Sequence, residues 1–153
     1  MALFIVINLF IFDDGDTIHN WVGYGTLLIV LLRGLIGLTS DGYDSFKKFP
    51  LHPRELFSFV QNFFNKNRKN YIGHNPVASY MYFVFWFLVL GLGFTGVLLV
   101  FVDAFFGDEF LEQIHSFFAN AIIVFLLIHF TGIILDSVLH RRKTWMSIIT
   151  GRK

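Results

Sequence analysis

The chain has 153 residues, enough for one domain, and is 55% apolar and only 15% charged, against roughly 45–50% and 25% in soluble domains. Its 21 phenylalanines are too many for a soluble core of this size and suit helices whose outer faces touch acyl chains. Its net charge is +1 and it has no cysteine, which excludes disulfides, iron–sulfur clusters and thiolate ligation of any metal.

Residues 1–12, MALFIVINLFIF, form an apolar run, but twelve residues of helix reach only about 18 Å, short of a hydrocarbon core of about 30 Å. Neither a basic leading region nor a small-residue cleavage site marks a signal peptide. The expectation is the second half of a spanning helix whose first half is absent from this chain. Asp13, Asp14, Gly15 and Asp16 then make an acidic turn.

Residues 19–38 form the first full span. Trp21 and Tyr24 are placed for an interfacial aromatic belt, and Gly23 and Gly25 leave room near His19 for a bulky group. Arg33 puts a full charge inside this span, fourteen positions after His19 and so on the same face. Residues 39–75 are the one long polar segment, with Lys47, Lys48, Arg54, Lys66, Arg68 and Lys69. Pro53 suits the first turn of a short helix. Leu56, Phe57, Val60, Phe63 and Phe64 recur at helical spacing, which predicts an amphipathic helix on the membrane surface.

Residues 76–102 make another span, carrying Gly91, Gly93, Thr95 and Gly96, small residues that permit close approach. An acidic loop with Asp103, Asp108, Glu109 and Glu112 occupies residues 103–113. The last span covers residues 114–139, and a basic tail follows with Arg141, Arg142, Lys143, Arg152 and Lys153. Every Lys and Arg but Arg33 lies in the 39–75 segment or the tail, whereas the two other connections are acidic. The positive-inside rule therefore predicts that the long loop and the C-terminus are cytoplasmic.

His115 and His129 stand fourteen positions apart with no charge between them, so both imidazoles leave one helix face about 21 Å apart along the axis. Ionisable side chains inside lipid are costly and mark functional sites, and two imidazoles on one stripe suit two haem irons at two depths. His19 and His115 both open their spans on the outer side and can meet at one level. A bis-histidine b haem needs two such imidazoles, each oriented through its second nitrogen. The bland alternative for either residue alone is a histidine at a helix end. His129 lies deeper, with His74 as the internal candidate for its partner. His52 reads as solvated, and His140 as a complement to a helix C-terminus. Arg33 has two readings, snorkelling to the inner interface or pairing with a haem propionate. Asp136, seven positions after His129, is either a proton or quinone-site group or a polar residue leaving the lipid.

The order His19-x-x-x-Gly23-Tyr24, Arg33, Gly73-His74-Asn75-Pro76, Thr95-Gly96, His115-x-x-x-x-Asn120, His129, Met146 and Gly151-Arg152-Lys153 resembles the bacterial cytochrome b561/nickel-hydrogenase b-type cytochrome family from about Asp13 onward. The resemblance implies an all-α integral membrane four-helix bundle, here three full spans plus a shortened N-terminal helix, with the amphipathic helix on the cytoplasmic side. It implies His19 and His115 as ligands of the outer haem and His129 as one ligand of the inner haem. The family histidine that completes the inner haem belongs to the half-helix that is missing here.

The expected function is single-electron relay through bis-His haem in the bacterial inner membrane. Electrons would pass between a periplasmic redox partner, a c-type cytochrome or a hydrogenase-like enzyme, and the quinone pool or a partner enzyme. A homodimer is one assembly open to such a protein. No nucleotide-binding loop, nucleophile motif or zinc spacing is present, and no nucleic acid partner is expected. The competing readings are a haem-free membrane anchor of a redox enzyme and a small proton-conducting transporter built on Asp136 and His129.

Overall fold

A computed structural model describes residues 2–13, 15–42, 44–63 and 75–139. His74, His140, the cations Lys66, Arg68 and Lys69, and the basic tail lie outside these residues. The described chain is helical, with no strand among its residues: α1 (Ala2–Phe10), α2 (Thr17–Thr39), α3 (Pro53–Gln61), α4 (Pro76–Phe101) and α5 (Glu109–Leu139). Of these, α2, α4 and α5 are long and apolar enough to cross a membrane, with mean hydropathy 1.7, 2.5 and 2.4. At 1.5 Å per residue they reach roughly 35, 39 and 46 Å, against a hydrocarbon core of about 30 Å.

Local chemistry sets the helix starts. Pro76 opens α4, and Asn75 caps it: the Asn75 Oδ1 accepts from the Ala78 N–H at 2.7 Å, satisfying a donor that a helix start leaves unpaired. Asp108 does the same for α5, its Oδ1 accepting from the Leu111 N–H at 2.8 Å. As a result α5 begins at Glu109, five positions before the span read from hydropathy. Glu109 and Glu112, expected in an acidic loop, occupy the first turn, where the helix dipole favours negative charge. Gly107 makes the reversal before it, with φ at 72°, a conformation costly for any residue with a Cβ.

The chain divides into two units. The first comprises Met1–Lys48 and Phe83–Ile122 and holds α1, α2, the C-terminal part of α4 and the N-terminal part of α5. Its buried apolar residues include Ile5, Val30, Val89 and Ile122. Small residues set its helix contacts. The Trp86 ring sits against Gly34 and the Phe118 ring against Gly91, where a Cβ would collide. The Trp86 indole N–H donates to the Val30 carbonyl at 3.2 Å, giving this buried ring nitrogen its partner.

The second unit comprises Phe49–Tyr82 and Ile123–Lys153, with α3 and the remaining parts of α4 and α5. The imidazole of His52 caps α3 by accepting from the Arg54 N–H at 3.2 Å, and His52 is exposed, as expected. In α3 the buried residue is Phe59, whose ring lies 6.3 Å from that of Phe63. Phe57 and Val60 are exposed. Helical phase explains this, since residues 56, 59 and 63 share one stripe and 57 and 60 fall on its edge. The Tyr80 hydroxyl donates to the Leu51 carbonyl at 2.7 Å, fixing the chain just before α3.

Candidate metal centre

His19 lies on the first turn of α2, and His115 two turns into α5. Within the first unit their ring centroids are 6.4 Å apart, with the planes at 60°. A metal held in line between two imidazoles places the centroids roughly 6.2 Å apart, from two bonds of about 2.0 Å plus about 1.1 Å from each nitrogen to its ring centre. The two rings line a cleft together with Asn8, Tyr24 and Gly96. The rest of the lining is largely apolar, including Ile5, Leu27, Val89 and Val97, and contains no Lys, Arg, Asp or Glu.

Three buried polar atoms on this cleft have no hydrogen-bond partner among the described residues: Asn8 Oδ1, His19 Nδ1 and the Tyr24 hydroxyl. Leaving such a group unmatched costs about 1–3 kcal/mol, and native structures leave few without a reason. Their clustering on one cleft supports a polar-edged occupant. On the other side, His115 Nδ1 lies 2.9 Å from the Thr95 Oγ1. A Cβ at Gly96 would stand 3.2 Å from the Cε1 of His115, so glycine there leaves the ring its space. No group of three or more His, Cys, Asp or Glu is positioned to hold a metal among the described residues. A porphyrin iron needs only two protein ligands, since the macrocycle supplies the equatorial ones, and the residues of the cleft fit a b haem.

The remaining expected site residues lie elsewhere. His129 belongs to the second unit, half-buried, its ring stacked on Phe125 with centroids 5.9 Å apart and planes at 10°. Its expected partner His74 is outside the described residues. Arg33 does not line the cleft. Its Nη2 donates to the Asp44 carbonyl at 3.1 Å, and its guanidinium sits over the Phe46 ring, 5.2 Å from the centroid. Asp136 is half-buried on α5. Sequence reasoning missed Asn8, although its being the only polar residue within the first twelve was a readable signal. Thr95 was noted only as part of a motif.

These features define a multi-pass helical membrane protein with a close pair of half-buried imidazoles. The chain belongs to the prokaryotic cytochrome b561 family, whose family model matches residues 1–151 and so reaches back through α1, beyond the motifs that carry the resemblance. Family membership identifies a transmembrane b-type cytochrome of electron transfer. Comparison with curated proteins and with solved structures gives no match.

Proposed function

We propose that this chain relays single electrons across the bacterial inner membrane through a bis-histidine b haem held by His19 and His115. The observation that carries this reading is the 6.4 Å separation of the two rings, the spacing an iron between them requires. A bound b haem supplies reversible one-electron chemistry at its iron. The protein's part is ligation, orientation and exclusion of water. His19 and His115 come from two helices, and the apolar lining of Leu27, Val89 and Val97 keeps the dielectric low. The uncharged rim of Asn8 and Tyr24 offers hydrogen bonds to the polar edge of the macrocycle.

A second haem through His129 is part of the proposal, with His74 as the internal candidate for its other ligand. For Arg33, the reach to the Asp44 carbonyl and the stack on Phe46 favour anchoring at the inner interface over propionate pairing. The bundle is proposed to have four helices, supported by the packing of Asn8 of α1 close to Gly23 of α2. Exposed Phe57 and Val60 on α3 support its lying on the membrane surface, on the cytoplasmic side with the C-terminus. The electron partners proposed are a periplasmic c-type cytochrome or hydrogenase-like enzyme and the quinone pool, and a homodimer is the assembly to look for.

A reduced-minus-oxidised spectrum of the detergent-purified chain, with haem counted per chain, tests this. One haem, lost in His115→Ala, is the result expected for the outer pair alone. Two haems would extend the reading to His129. A folded chain with no α-band would overturn it in favour of a haem-free membrane anchor.

A further inference from the structure

We propose that Thr95 is a positioning residue that fixes the tautomer of His115 and thereby tunes the haem site. The inference rests on the bis-histidine reading above. The Thr95 Oγ1 is 2.8 Å from the Gly91 carbonyl and 3.0 Å from the Leu92 carbonyl. A carbonyl carries no hydrogen, so oxygens this close are held only by the threonine proton, and a hydroxyl has one to give. The third contact of that oxygen, 2.9 Å to His115 Nδ1, therefore has Thr95 accepting and the imidazole donating. A neutral ring protonated at Nδ1 carries its lone pair on Nε2, the nitrogen that would ligate iron under the bis-histidine reading.

Two features hold this arrangement. Thr95 is 5% exposed, so water does not compete for the Nδ1–H. Gly96, next in the chain, lies against the ring edge, where a Cβ would stand 3.2 Å from Cε1, so the ring sits directly on the helix that carries its acceptor. An Nδ1–H that donates to a fixed oxygen makes the imidazole a more basic ligand and favours the ferric over the ferrous iron. The threonine acts through the histidine and touches no reacting atom.

The test is a redox titration of the haem-loaded full chain as wild type, Thr95→Val and Thr95→Ser, with 15N-histidine NMR of the haem-free wild-type chain assigned by His115→Gln. Thr95→Val keeps the shape and removes the acceptor. Loss of such an outer partner typically costs 10–100-fold, and each tenfold change in ferric-to-ferrous preference is about 59 mV for one electron. The expected result is a midpoint potential raised by about 59 mV or more in Thr95→Val, restored in Thr95→Ser, and a wild-type His115 protonated at Nδ1. An unshifted potential in a haem-loaded Thr95→Val chain, or a wild-type His115 protonated at Nε2, would overturn the proposal. If the valine chain does not load haem, the NMR result decides alone. A wild-type chain that binds no haem would sink the cytochrome reading, and the tautomer of His115 would still decide the role of Thr95.

Discussion

Asn8 is the residue whose behaviour best separates a filled cleft from an empty one. Its Oδ1 is buried without a partner among the described residues, an arrangement that is unfavourable until something polar arrives. In the haem-free chain, Asn8→Leu should raise the thermal midpoint, because it removes an unmatched amide worth about 1–3 kcal/mol. In the haem-loaded chain the same change, and Tyr24→Phe with it, should speed haem loss to an acceptor protein several-fold. Equal effects in both forms would show that neither side chain touches the occupant. At this scale the sequence was partly readable. The histidines were visible because imidazoles stand out in apolar helices. That His19 and His115 can meet at one level was readable too, but the 60° between their rings was not, since it depends on how α2 and α5 are rotated about their axes. The bond from Thr95 to His115 joins residues twenty positions apart, beyond any local pattern.

At the scale of elements, hydropathy located α2 and α4 to within two residues at either end, because length and apolarity are what lipid selects. It placed the start of α5 late, since charge at a helix N-terminus looks like loop and is in fact stabilising. Packing between spans depends on glycine. Gly91→Leu would drive a side chain into the Phe118 ring, and overpacking of this kind costs about 1–3 kcal/mol. Thermal unfolding in detergent should show a lower midpoint and less retained haem. Gly132→Leu, at a position with nothing within 4 Å of a Cβ, is the control and should leave both unchanged. Equal losses from the two would mean that close approach at Gly91 does not matter.

At the scale of the whole molecule, three apolar helices and segregated charge make orientation testable, and the absence of cysteine makes the test clean. In spheroplasts, an impermeant maleimide should label Ala104→Cys, between α4 and α5, and should reach Lys47→Cys, between α2 and α3, only after lysis. The reverse pattern would invert the proposed orientation. The meeting of His19 with His115 also bears on how the protein is made. The two proposed ligands stand 96 positions apart in the chain, from 19 to 115. At synthesis rates of about 5–20 residues per second, the first imidazole waits roughly 5–20 s for the second. During that interval α2 already lies in lipid with its histidine unmatched, and a porphyrin arriving then finds one axial ligand instead of two. With the proposed ligand pair, cofactor capture would be deferred until α5 has been made, so that secure possession of iron would report that the membrane domain has been built through its last described span.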